Sequence, residues 1–428
     1  MLSTIKKIHI PPALRHRDYA LLWAGVMISN AGSQMALWSI FWHLRLLSDQ
    51  PIVVSGIGIA RFVPILVFAL IGGVVADSFS RKTVVLVTQT TLLLVSTSLG
   101  TLTASHQINI WWIYAMVSIQ GVCIAFDGPS RQSLIPNLVP REDLPSAFGL
   151  QSIAVNVGSL VGPALSGLVI ATIGIQWSYW LDAISFLFVI AAVIMMGPIQ
   201  GDAARGQDRI IEGRVVPRLD LSGIPEGIRF ILHQPIILSS MILDFFATFF
   251  SSANTLLPFI AQDVLHVGSV GYGWLAAAQS IGSVAVAFIM SQKKQILRQG
   301  RLLLVAVMGF GAATILFGFS RTYFITMAAL ILIGASDTIS TVLRNTIRQL
   351  QTPDNLRGRM VSINQIFFAG GPQLGEVEAG AVAQAFGTPA AIITGGIGCI
   401  LSVAFIAARY PQLRRYNGDE AVAAGQQA

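Results

Sequence analysis

The sequence predicts an all-α, polytopic membrane protein of twelve transmembrane helices in two six-helix pseudo-repeats. Three observations lead there. Of 428 residues, 54% are apolar and only 11% charged, against about 25% charged in soluble domains. The apolar residues gather in runs of roughly twenty, the length a helix needs to cross a hydrocarbon layer. The runs are apolar all round and lack a barrel strand's alternation. Helices, which satisfy their own backbone in lipid, are what they fit.

The predicted spans are 19–46, 52–76, 83–104, 109–130, 147–172, 177–196, 236–261, 270–291, 302–320, 323–343, 361–386 and 389–409. The first is too long for a signal-peptide core and lacks a small-residue cleavage site, so it reads as a retained helix. Residues 1–18 form an N-terminal segment, 19–196 the first bundle, 197–235 a polar linker, 236–409 the second bundle and 410–428 a tail. Within the linker, "EGIRFILH" reads as a short amphipathic helix on the membrane surface. The halves are faintly alike at a shift of roughly 210 to 215 residues, a parallel repeat of six helices known among transporters. "SGIGIA" at 55 parallels "GYGWLA" at 271, and "LVPREDL" at 138 parallels "QTPDNL" at 351.

Charge sets the orientation. Of 27 Lys and Arg, all but Arg45, Arg61 and Arg321 fall at the termini or in the even-to-odd loops. The positive-inside rule then puts both termini in the cytoplasm. The net charge of +7 reads as anchoring at an anionic leaflet; nucleic-acid binding needs a soluble basic face that this pattern lacks. Cys123 and Cys399 stand alone in apolar spans, suggesting neither a metal site nor a disulfide framework.

The turn between spans 2 and 3 reads "GGVVADSFSRK". It resembles the loop 2–3 signature of the major facilitator superfamily, matched by Gly73, Asp77, Arg81 and Lys82, with Ser78 and Ser80 replacing the usual Arg and Gly. In that family the cluster is an inner latch that forms and breaks with conformation. Span 5, "GLQSIAVNVGSLVGPALSG", is similar to the family's antiporter pattern through Gly149, Gly158, Gly162, Pro163 and Gly167, with Ser166 in place of one Gly. Small residues let helices pack closely in lipid, and Pro163 removes a backbone donor. "LRHRDYALLWAGVMISNAGSQM", "FDGPSRQSLIPNLVPREDL", "RGRMVSINQIF" and "QLGEVEAG" resemble the branch holding the enterobactin exporter and macrolide-efflux-type proteins. The resemblance implies a proton-coupled exporter in a bacterial inner membrane. One departure matters: the span 4 Arg of many drug–proton antiporters is Val117 here, so coupling through that Arg is not carried over.

Ionisable residues inside spans are costly and mark functional candidates. Ser240, Asp244, Thr248, Ser251 and Thr255 fall within roughly 80° of arc at about 100° per residue, one polar stripe on an oily span 7. Spans 1, 4, 7 and 10 line the cavity in the resembled family, which turns Asp244 toward water and substrate; a structural hydrogen-bonding role is the alternative. Asn30, Gln34 and Trp38 share a face of span 1, offering hydrogen bonds beside an aromatic surface, or aromatic packing alone. Asp337, Thr341 and Arg344 make a stripe near the inner end of span 10.

Arg61 lies roughly 13 Å from the outer end of span 2, and Glu378 and Glu376 lie roughly 12 and 15 Å from that of span 11, at about 1.5 Å per residue. Spans 2 and 11 face each other in the family, so Arg61 with Glu376 or Glu378 forms a candidate outer gate; pairing within one half, or contact with an anionic substrate, are the alternatives. Asp127 and Arg131 form an i, i+4 pair at the inner end of span 4, with Pro129 as a possible helix stop. Asp182 and His43 read as structural.

The chain carries no phosphate-binding loop, zinc-protease motif or nucleophile elbow. The expectation is therefore not an enzyme but a monomeric secondary transporter without cofactor: it needs a small-molecule substrate, the bilayer and a proton gradient, and no obligate protein partner. Its cargo is expected to be a siderophore or a drug. A proton-coupled importer and a non-transporting membrane receptor or scaffold are the alternative functions.

Overall fold

The computed structural model describes residues 11–197, 223–293 and 296–418, and their side chains except those of 69–70, 72–78, 223–227, 354–355, 357–359, 362, 365–366 and 369. The predicted spans appear as long helices: α1 Arg17–Leu47, α2 Ile57–Ser78 with a lead-in turn Pro51–Ser55, α3 Arg81–Ala104, α4 Ile110–Leu134, α5 Leu144–Thr172 and α6 Ile175–Met195. The second set is α7 Pro235–Ser251, α8 Ser269–Ser291, α9 Gln299–Phe319, α10 Tyr323–Leu350, α11 Asp354–Phe386 and α12 Thr388–Arg409. Ten stretches of the described chain are long and apolar enough to cross a membrane. α1 and α11 add 31 and 33 residues of helix with more polar faces. Phe324, Phe386 and Trp111 are among the large apolar side chains left on the outside, as a lipid-facing surface requires.

The packing repeats. In the first half α1 packs on α5 and α6, α2 on α4, and α3 on α4 and α6. In the second half α7 packs on α11 and α12, α8 on α10, and α9 on α10 and α12. Each pair recurs at its equivalent position, so the faint sequence repeat is a structural one. Two seams join the halves, α5 with α8 and α2 with α11. Glycine makes the first possible: a Cβ on Gly273 would lie 2.7 Å from the Pro163 carbonyl, and one on Gly167 would collide with the Ser269 carbonyl.

Several elements differ from expectation. The predicted span 236–261 is not one helix: α7 stops at Ser251, and the chain continues through turns at Asn254–Leu256 and Leu257–Phe259 and a π-turn at Ile260–Val264. Pro258 lacks the amide that the Asn254 carbonyl would need and crowds it, which breaks helix geometry one turn back. Pro129 does not end α4, which runs on to Leu134. α10 continues seven residues past its predicted end at 343, to Leu350, because Arg344 and Arg348 find buried partners there. Residues 198–222 of the linker lie outside the description, but its amphipathic segment is helical, Gly223–His233. That helix buries Ile231 against Ile237, Met241 and Met360 and leaves Ile228 and Leu232 exposed.

At the end of the molecule where α1 stops, the halves are fastened. Arg45 meets Asp263 at 2.8 Å and lies over the Phe259 ring at 4.8 Å. The Tyr272 hydroxyl donates to the Trp38 carbonyl at 2.9 Å, and the Ser55 and Thr255 hydroxyls are 3.0 Å apart.

Candidate functional site

Asp244 is the hub of the second half. It sits in α7, and α10 brings two arginines to it: Arg344 at 3.0 Å and Arg348 at 3.1 Å. Arg348 also donates to the Ser240 hydroxyl at 3.1 Å, the Ser240 carbonyl at 2.9 Å and Asn364 Oδ1 at 2.5 Å. Asp244 is 1% exposed; it does not face an open cavity, as its stripe suggested, but is enclosed by cations. Arg344 is shared: its other terminal nitrogen donates to the Thr341 hydroxyl at 2.8 Å and lies 3.7 Å from Asp337. Arg348 was missed by sequence reasoning because span 10 was ended too early. The signal was present, since Asp337, Thr341, Arg344 and Arg348 recur at spacings of four, three and four, one helical face.

Asp337 does face open space. With Thr248 and Ser251 of the α7 stripe it lines a chamber of 320 Å³ whose wall also includes Asn156 and Ser159 of α5. The chamber therefore draws on both halves. Among the described residues its lining is mostly hydroxyls and amides, with Asp337 the single charged side chain.

The first half holds a second cavity, of 240 Å³, bordered by Asn30, Gln34, Arg61, Asp127 and Arg131. Asp127 and Arg131 pair at 2.6 Å across one turn of α4, and Asp127 also accepts from Thr88 at 3.1 Å and Gln89 at 3.0 Å on α3. The Asn30 and Gln34 part of the α1 face thus reaches open space. Trp38 does not: it is buried, edge-on to Phe41 with centroids 5.5 Å apart. Asp182 accepts from Ser33 at 3.2 Å and Ser96 at 2.6 Å, tying α6 to α1 and α3, and His43 bonds the Tyr179 hydroxyl at 3.0 Å.

Arg61 and Glu376 lie on α2 and α11, the two helices of one seam between the halves. Neither Glu376 nor Glu378 comes within ion-pair distance of Arg61 among the described residues. The expected gate is therefore unjoined in this conformation. The helices themselves are close there, since a Cβ on Gly58 would run into the Gln373 carbonyl at 2.5 Å.

The surroundings of Gly73 and the side chain of Asp77 lie outside what is described. Of their partners in the loop 2–3 motif, Arg81 donates to the Ser133 carbonyl and Lys82 to the Met196 carbonyl, the latter at 2.9 Å. Both bases thus sit at the carbonyl ends of α4 and α6, where a helix dipole favours positive charge. In the α5 motif, Gly158 and Gly162 abut Asn30 and Gln34 of α1, Pro163 and Gly167 abut α8, and Gly149 faces open space. One small-residue face serves both the bundle and the seam between halves. Cys123 and Cys399 are buried and unbridged.

Known proteins resemble this chain along almost its whole length. The family model for transmembrane secretion effectors, of the major facilitator superfamily, matches residues 10–424. The enterobactin exporter EntS of Citrobacter koseri is 26% identical over 360 residues, covering 84% of this chain and 83% of that protein. The multidrug efflux pump Tap of Mycolicibacterium fortuitum is 24% identical over 405 residues, covering 93% and 96%. A solved bacterial homolog of the human lysosomal transporter Spinster, inward-facing and occupied, superposes with a TM-score of 0.67 at 14% identity over 94% of this chain and 98% of that one. With the repeated packing of α1–α6 and α7–α12, these likenesses settle the assignment: this multi-pass membrane protein belongs to the transmembrane secretion effector family of the major facilitator superfamily.

Proposed function

We propose that this chain exports amphipathic small molecules, siderophores or drugs, from a bacterial cytoplasm across the inner membrane. It does so as a monomer by alternating access, driven by the proton gradient and without a cofactor. The chamber shared by both halves carries this reading: only rearrangement of two bundles around such a space exposes it to each side in turn. The kinship with an enterobactin exporter and a multidrug efflux pump supports export over import. The basic loops support cytoplasmic termini, so the fastened end at Arg45 and Asp263 faces outward and this is an inward-facing form.

In this reading Asp337 handles protons. Its carboxylate opens on the chamber and competes with Asp244 for Arg344. Protonating Asp337 leaves Arg344 to Asp244; releasing that proton to the chamber restores a carboxylate that draws on Arg344 again or on a cationic substrate. Glu376, on the α11 side of the seam with α2, is the second candidate. Inverted membrane vesicles given a fluorescent dye in the external medium and energised with a proton gradient test both. Wild-type protein accumulates dye inside such vesicles, and collapse of the gradient stops it. Asp337→Asn and Glu376→Gln should each break the link between uptake and gradient. Gradient-driven uptake at wild-type rates by both variants would sink the coupling assignment, and dye movement in the opposite sense would make the protein an importer.

A further inference from the structure

Arg61 is left over. It lies in a membrane-spanning helix, where an arginine is expensive, and it has five N–H donors. No hydrogen bond or ion pair engages it among the described residues. It borders the 240 Å³ cavity, whose lining residues all come from α1, α2, α3, α4 and α6. Among the described residues this space is therefore lined by one half, and it shares no lining residue with the chamber that both halves border.

The other charges of its wall are answered. Asp127 is paired with Arg131 at 2.6 Å, and Asp182 receives the hydroxyls of Ser33 and Ser96 at 3.2 and 2.6 Å. A second group is not answered. Gln89, 1% exposed, spends its amide nitrogen on Asp127 at 3.0 Å, and its Oε1 has no partner. A buried carbonyl without a donor is costly. Among the described residues the cavity thus presents one cationic fork and one acceptor without a hydrogen-bond partner, with Leu92, Ile124 and Phe186 as apolar wall.

We propose that this cavity is a binding subsite for a small organic anion that also carries a hydroxyl group. The Arg61 fork takes the anionic oxygens, a geometry suited to a carboxylate, and Gln89 Oε1 accepts from the hydroxyl. The volume, below the roughly 300–1,000 Å³ of drug-sized pockets, fits one ring-sized moiety. Glu376, across the seam, opposes the same anion through its charge. The subsite deepens the export reading by naming a substrate class, and it rests on that reading for the anion's being cargo.

Calorimetric titration of the full chain in lipid nanodiscs tests it, with 3-hydroxybenzoate, benzoate and benzylamine as probes. The hydroxylated anion should bind most tightly, benzoate more weakly and the amine not at all. Arg61→Gln should weaken 3-hydroxybenzoate roughly ten- to a hundredfold, the worth of a charge-assisted hydrogen bond. Gln89→Met should erase the difference between the two anions, and Glu376→Gln should tighten both. Thermal unfolding checks that each variant is folded; if Arg61→Gln is not, Arg61→Lys keeps the charge, loses the fork and should show an intermediate loss. Unchanged affinity in a folded Arg61 variant, a surviving preference for the hydroxyl in Gln89→Met, or equal binding of benzylamine overturns the subsite. Failure of anion binding with dye export intact refutes the subsite alone, whereas binding without export refutes the export reading alone.

Discussion

Asp244 illustrates what burial demands of an acid in an oily helix. Its carboxylate is tolerated because two guanidinium groups and their hydrogen bonds surround it. Removing one partner of a buried pair strands the other charge, at a cost of about 3–5 kcal/mol. Asp244→Asn should therefore lower the midpoint of thermal unfolding in detergent markedly. The double variant Asp244→Asn with Arg348→Gln should recover part of that loss, since one orphaned cation goes with the acid. A double variant no more stable than the single one would show that Arg348 is held mainly by Ser240 and Asn364. At this scale the sequence singled out Asp244, Asp337 and Arg344, because charge in an apolar run is conspicuous. It did not reveal that Asp244 is enclosed while Asp337 opens on the chamber. Both residues lie on polar stripes; only the rotation of α7 and α10 against each other decides which acid the arginines cover.

At the scale of elements, the α5–α8 seam depends on backbone-to-backbone approach. Gly167→Leu places a side chain where the Ser269 carbonyl and the Gly273 backbone already sit. Dye transport should fall strongly while the amount of folded protein in the membrane holds, because the clash lies between halves and spares the packing of each bundle. Wild-type transport by this variant would mean the seam separates during the cycle without needing to close as tightly again. The glycine pattern of α5 was legible from its spacing, and its contact with α1 and α8 follows from having small residues on a broad face. The break in α7 was not drawn from the sequence, although Pro258 signalled it. Hydropathy runs on through residues 252–261, and a scan for oil does not register a missing amide.

At the scale of the whole molecule, the fastened end makes alternating access testable. The Arg45–Asp263 bridge is partly exposed, with Asp263 at 49%, so on its own it contributes at most about 1 kcal/mol. Arg45→Ala should shift the balance between states only modestly, seen as a small change in labelling of a reporter thiol at that end. A covalent bond there acts differently. With Cys123 and Cys399 replaced, Ser55→Cys and Thr255→Cys, whose hydroxyls lie 3.0 Å apart, should crosslink under oxidation and stop dye transport until reductant is added. Full transport by the crosslinked protein would end the alternating-access reading.

The sequence by itself determined the number, order and approximate limits of the helices, the repeat of six on six and the family. Each of these is written in local composition: a span is apolar along its own length, and a motif is a short run of small or charged residues. The tertiary structure alone decided which charges meet. The pairing of Asp244 with Arg348 spans more than a hundred positions, and whether Arg61 meets an acid of α11 depends on how α2 and α11 are set against each other. Such outcomes hinge on depth and rotation about helix axes, where a shift of one residue turns a side chain through about 100°. No local pattern fixes an angle between helices that the packing of the whole bundle must set.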